Sequence, residues 1–331
     1  MEINLEKAVL HILDVNASLP VYSQQELALE EEESASFLLA HIRRLCQDTG
    51  AKDGRFRESS AVGGMAEQCA VDFLQGSTAI ADKLFALMKQ QPDIPSADLL
   101  VALARVDGAR CLILLKLNYR TGYTHAVDYG ERGACTQLLV HRVIFASESQ
   151  KVEEAALIHL QSGVVKILEK PYLIDGHRKN YFSELFLECE TMLSAKESIK
   201  ALDSAVKEVA EKYCEDPFER AAVMKTAIYE HLDQRGSIDV EEVAQAAFEE
   251  SSVMQREYIE KVREAGVTPT VQVQGENPEK KYSKCKIRAE NGIELNVPME
   301  LYRDRDVIEF LNQPDGTVAI LIKKVGKLKV L

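Results

Sequence analysis

No two of the seven cysteines lie close together. They stand at positions 46, 69, 111, 135, 189, 214 and 285, never as CxxC, so neither a zinc site nor a redox dithiol is suggested. The N-terminus, MEINLEKAVLHILDV, lacks the basic segment and continuous apolar core of an export signal and has the pattern of a strand. An odd cysteine count without such a signal leads to the expectation of reduced thiols in a cytoplasm. The most apolar stretches, LLVALARV and CLILLKL, fall far short of the ~20 residues that span a bilayer, so no membrane partner is expected. Also missing are GxGxxG after a strand, GxxxxGK[ST], HExxH and GxSxG. The expectation is a non-enzyme with no cofactor and no metal. A metal-dependent nuclease would need carboxylates such as Asp107, Asp128 and Asp175 to converge.

The chain has 331 residues, 46% of them hydrophobic and 28% charged. One core stops growing at roughly 250 to 300 residues, so two or three domains are expected. The net charge of −13 argues against indiscriminate nucleic-acid binding, because phosphate contacts need Lys and Arg to release counterions. The charge is uneven. From Val267 onward 11 Lys and Arg face 9 Asp and Glu, net +2, which leaves −15 on the 266 residues before. A polyanion-binding surface would therefore be local and is first sought near the C-terminus.

Periodicity gives an α+β reading. Residues 2 to 15 form a strand, and LALEEEESASFLLAHIRRLCQ places Ala35, Leu38, Ile42 and Leu45 on one helical face with the acids Glu30 to Glu33 at its start. SSAVGGMAEQ has the composition of a loop, and STAIADKLFALMKQQ that of a helix capped by Ser77 or Thr78. Asp107-Gly108 predicts a hairpin between DLLVALARV and ARCLILLKLNY. YTHAVDY, QLLVHRVIF, AALIHL and VVKILEK extend an antiparallel or mixed sheet with helices on one side, closing an N-terminal α+β domain over 1–190.

A helical module over 191–266 follows. Ile199, Leu202, Val206, Val209 and Tyr213 form an unbroken stripe, and three further helices carry many acids and no basic recognition face. After a linker, TPTVQVQGENPEKKY, two hairpins make a small β domain over 267–331. Their turns are Asn291-Gly292, read as type I′, and the run from Asn312 to Thr317.

Two basic groups are candidate nucleic-acid contacts. In the tail, Lys323, Lys324, Lys327 and Lys329 occur without an intervening acid. They fit a phosphate-facing strand edge and equally an edge blunted against aggregation. The other group, His177, Arg178 and Lys179, opens IDGHRKNYFSELFLECE. There Phe182, Leu185, Phe186 and Cys189 share one helical face with Asn180 as cap, and an anion would be welcome at the helix start. Most of the seven histidines sit in apolar runs such as VLHIL, LVHRV and LIHLQ, where a core role is the expected one.

The order of several motifs resembles the bacterial nucleoid-associated proteins of the NdpA (YejK) type. The motifs are YFSELFLECE, SIDVEEVAQAAFEES and NGIELNVPMELYRDRDVIEFLNQPDGTVAILIK. Leu185 stands where many relatives have a small or aromatic residue, and Glu188 where the family usually has Gly. The resemblance implies a cytoplasmic, nucleoid-associated protein that binds DNA and RNA with little sequence preference and has no known catalytic activity. A homodimer would double a weak basic patch. The rival reading is an acidic module that docks a basic DNA-handling protein, with nucleoid association indirect.

Overall fold

The computed structural model describes residues 1–327 except 131–132, 215–216, 276–277, 303, 305 and 314–316. It divides into two compact units, Met1–Ser194 and Ala195–Leu331. Among the described residues no helix is long and apolar enough to cross a membrane.

The first unit contains, in chain order, β1 (Ile3–Leu13), α1 (Glu32–Gln47), β2 (Lys52–Phe56), α2 (Ala61–Val71), α3 (Phe73–Gln90), β3 (Ala97–Val106), β4 (Ala109–Asn118), β5 (Arg120–Gly130), β6 (Gly133–Ile144), β7 (Glu154–His159), β8 (Val164–Leu168), β9 (Tyr172–Ile174), β10 (His177–Lys179), a π-helix over Phe182–Leu187 and β11 (Cys189–Thr191). Seven strands form one sheet in the order β1-β3-β4-β7-β8-β2-β11, antiparallel throughout. The hairpin at Asp107-Gly108 forms as expected. Both residues take positive φ, 48° and 83°, as a type I′ turn requires.

Helices lie on both faces of this sheet, not on one. Val62, Ala66, Ile80 and Leu84 of α2 and α3 pack with Leu99, Val101 and Leu103. Leu38, Ile42 and Leu45 of α1 pack with Leu100, Ala102 and Ala104 from the other side. Burial on both faces is why DLLVALARV is a nearly continuous apolar run instead of an alternating one.

SSAVGGMAEQ is not a loop. It begins α2, capped by the Ser60 hydroxyl, which accepts from the Gly63 amide at 3.3 Å. Gly63 and Gly64 lower the local helix propensity, so tertiary packing decides the outcome. The next helix starts earlier than expected, at Phe73 with Asp72 as cap, because Ser77 is fully buried inside it. Gly76 is where the two helices meet: a β-carbon there would lie 2.6 Å from the amide nitrogen and sulfur of Cys69.

YTHAVDY and QLLVHRVIF do not join the main sheet. They pair with each other as a separate two-stranded ribbon, β5–β6, and all twelve residues of β6 are exposed.

Two buried polar arrangements tie the sheet to its surroundings. Lys116 and Glu154 are both fully buried, 3.7 Å apart, on neighbouring strands. The Lys116 ammonium donates to Asn118 Oδ1, and the Asn118 amide donates to Glu153 and Glu154 at 2.8 Å. Burial lowers the Lys116 pKa to about 8 against the pull of Glu154. His11 accepts from the Ser23 amide at Nδ1, 3.2 Å, so its other nitrogen carries the proton toward Ser77 Oγ at 3.1 Å. Burial lowers its pKa to about 4, so this imidazole is neutral in the folded chain.

The second unit contains α4 (Ala195–Tyr213), α5 (Pro217–Arg235), β12 (Ser237–Asp239), α6 (Val240–Ala247), α7 (Ser252–Glu264), β13 (Thr270–Gln272), a 3₁₀ turn over Pro278–Lys281, β14 (Lys284–Arg288), β15 (Glu294–Pro298), α8 (Met299–Tyr302), β16 (Ile308–Asn312) and β17 (Val318–Ile322). The α4 stripe forms as expected at its centre and ends before Tyr213. Leu202, Val206 and Val209 are buried, whereas Tyr213 is exposed and its hydroxyl donates to Glu257 at 2.7 Å. Part of the expected linker is a strand, since Thr270–Gln272 pairs with Ser237–Asp239 and buries Val271.

The β14–β15 turn is longer than a two-residue type I′ turn. Gly292 takes φ 89°, and its amide donates to the Ala289 carbonyl, so the loop runs from Ala289 to Ile293. The expected turn before β17 falls largely on residues 314–316, outside the described residues.

Candidate nucleic-acid interface

The stretch from Ile174 to Glu190 builds a hairpin and an anchor. Asp175 and Gly176 take positive φ, 52° and 77°, and close the β9–β10 turn. His177, Arg178 and Lys179 are therefore strand residues, not the last residues before a helix. Alternation puts His177 and Lys179 on one face and Arg178 on the other, so the three cations do not converge. His177 and Arg178 are exposed, and Lys179 pairs with Asp175 at 3.3 Å.

The apolar repeat after them is a π-helix. Its wider turn brings Phe182, Phe186 and Leu187 inside and leaves Leu185 partly exposed, which the ordinary helical spacing did not anticipate. Cys189 lies beyond it in β11, buried, with its thiol pushed up to about 12 by desolvation. Asn180 supplies its carbonyl to the Glu184 amide and the Ser183 hydroxyl. The anion at this helix start belongs to the protein itself. The Glu169 carboxylate accepts from the Ser183 amide at 2.9 Å and its hydroxyl at 2.8 Å, with Lys52 at 3.6 Å. Burial raises the Glu169 pKa.

Glu188 sits at φ 55°, the left-handed region that favours glycine, which gives a reason for the family preference noted at this position. Its carboxylate accepts from the Ala61 amide at 3.1 Å and pairs with Lys83 at 2.8 Å, so it closes the N-terminus of α2. The hydrogen bond from Lys83 holds its pKa below the usual carboxylate range. The motif thus fastens β11, α2 and the sheet together.

In the tail, acids face two of the four lysines. Lys323 pairs with Glu309 at 2.5 Å and Lys324 with Asp306 at 3.1 Å. Lys327 is exposed, and Lys329 lies outside the described residues. Such surface pairs are worth ~1 kcal/mol or less, so a phosphate could compete for either lysine.

A stronger row was overlooked in the sequence. β14 reads KCKIR, with Cys285 buried and Ile287 half-buried on the inner face and Lys284, Lys286 and Arg288 exposed on the outer. Every second strand residue repeats at about 6.6 Å, so the three cations form a straight line. Cross-strand neighbours on that face are Pro298, Asn296 and Glu294, and Glu294 contacts Arg288 at 3.6 Å. Lys280 is exposed just before the strand. The signal was present as period-two cations over apolar residues.

The acids Asp107, Asp128 and Asp175 fall in three different places, the β3–β4 turn, the outer part of β5 and the β9–β10 turn. Among the described residues no three His, Cys, Asp or Glu side chains gather as a metal cluster would. In α6, Glu242 pairs with His231 at 3.1 Å and also with Arg235, and Asp239 caps the helix at 3.0 Å. His11, His41 and His231 are buried as expected of core histidines, but His125 and His141 are exposed on the β5–β6 ribbon.

No curated protein matches the sequence. The family described as nucleoid-associated protein YejK does, over residues 9–329 of 331. The chain belongs to that family.

Proposed function

We propose that this protein binds DNA, and RNA by the same chemistry, through backbone phosphates, without sequence preference and without catalysis of its own. Family membership supports nucleoid association. The observation that carries the binding chemistry is the Lys284, Lys286 and Arg288 row, a line of exposed cations in an otherwise acidic chain. Cations along one strand face reach phosphates, and phosphate contacts carry no sequence information. Lys323, Lys324, Lys327 and Lys329 are proposed as auxiliary contacts, and His177, Arg178 and Lys179 as a separate minor one. A homodimer would double the row and raise avidity. The proposed setting is the cytoplasm.

A gel shift with purified protein and mixed-sequence duplex tests this. Binding at low salt should be strongly weakened in the K284E/K286E/R288E variant. A single-stranded RNA of equal length in parallel lanes tests the RNA arm.

The second reading, docking of a basic protein, is favoured by the exposed Glu241, Glu249 and Glu250 on and just after α6. No shift at tens of micromolar protein would support it over direct binding.

A further inference from the structure

We infer that the β5–β6 ribbon is a dimerisation arm, and that its partner is the same ribbon of a second copy of this chain. The inference shares with the preceding reading only the proposal that the chain pairs with itself, and it does not depend on nucleic-acid binding.

The register of the ribbon sorts its side chains. Tyr123 faces Val140, His125 faces Leu138, Val127 faces Thr136 and Tyr129 faces Ala134. Cross-strand partners share a face, so these eight residues make one surface without an Asp, Glu, Lys or Arg. Besides Ala126, Cys135 and Leu139, the opposite surface holds the polar Thr124, Asp128, Gln137 and His141, with Gln137 donating to Asp128 at 3.0 Å. The ribbon is therefore amphipathic, yet Tyr123, Val127, Tyr129, Leu138 and Val140 on its apolar face remain 38% to 84% exposed. An isolated two-stranded ribbon is marginal in water, and a long apolar one is a template for uncontrolled association.

The size and charge of this face fit a second copy. At about 200 Å² for a fully exposed large side chain, the five present roughly 600 Å² per arm, or about 1,200 Å² for two, the lower bound of a stable specific interface. The chain carries a net charge of −13, so self-association is best placed where formal charge is absent. Nucleic acid would need cations on this face, and a charged protein partner would find nothing there to complement. With the twofold axis lying across the arms the two run antiparallel, which sets Tyr123 of each copy toward Tyr129 of the other. Tyrosines are favoured anchors in such isologous contacts.

Sedimentation equilibrium of the full chain, from low to tens of micromolar, tests this. The expected wild-type mass is twice the 37.0 kDa of the chain. L138E and Y129K on the apolar face should each halve it with the circular-dichroism spectrum of the folded chain retained, and L139E on the opposite face should leave it doubled. Using two substitutions on one face keeps the test decisive if one of them fails to fold. A monomeric wild type, a dimeric L138E and Y129K, or equal dissociation by L139E would overturn the inference. So would a monomeric chain whose DNA affinity falls with the arm substitutions, since the arm would then be a nucleic-acid contact. K284E/K286E/R288E should remain dimeric, so undiminished DNA binding by that variant with dimers intact would refute the proposed function alone.

Discussion

Two hairpins follow one another in this chain, and their fates differ. β3–β4 and β5–β6 have ten to twelve residues per strand and are both rich in apolar side chains. The first is buried on both faces between helices, and the second is exposed along nearly its whole length. Apolar residues hold 15 of the 20 strand positions in the first and 11 of 23 in the second, where the larger ones gather mostly on one face. A strand that is apolar on both faces needs a layer on each side, whereas one with a polar face can leave that face in water and offer the other to a partner.

Four experiments would break or sharpen this contrast. The largest effect is expected inside the buried hairpin. Lys116→Met alone strands Glu154 without its partner and should cost about 3–5 kcal/mol in denaturant unfolding, while Lys116→Met with Glu154→Leu should regain most of it. Next comes truncation in matched pairs. Leu114→Ala should cost about 2–5 kcal/mol, and Leu138→Ala, on the arm, within about 0.5 kcal/mol when measured on the monomer. Equal costs would mean that the arm packs against its own chain.

The third effect concerns the β1 edge of the same sheet. The His11 pKa is lowered to about 4, so its contribution is complete above the unfolded value near 6.5 and is lost as pH falls from 6.5 toward 4. The loss should be on the order of 2–3 kcal/mol, and His11→Gln should flatten the stability curve in that window. The smallest change in folding energy is expected on β14. K284E/K286E/R288E changes only exposed side chains and should shift stability by less than about 0.5 kcal/mol while strongly weakening nucleic-acid binding.

Features set by local chemistry were legible in the sequence. The Asp107-Gly108 turn needs two residues tolerant of positive φ, and α4 shows its apolar stripe within its own residues. What depended on distant partners was not. α2 forms despite Gly63 and Gly64 because Gly76 lets α3 approach, and the fingerprint adopts a π-helix because Phe186 and Leu187 are both drawn into the core. For the candidate interface, counting cations in the tail found lysines that face Glu309 and Asp306 across a hairpin. The KCKIR row was as visible as any strand, through alternation alone. Whether His177, Arg178 and Lys179 converge could not be read without knowing that they occupy a strand.

The central claim is that the outer face of β14 grips phosphates. Binding of mixed-sequence duplex should be measured from low to high salt for the wild type and for K284E/K286E/R288E. The account predicts wild-type affinity falling linearly on logarithmic axes, with a slope that the variant reduces in magnitude by about 2 to 3. Wild-type affinity unchanged by salt, or a variant with the wild-type slope, would contradict it.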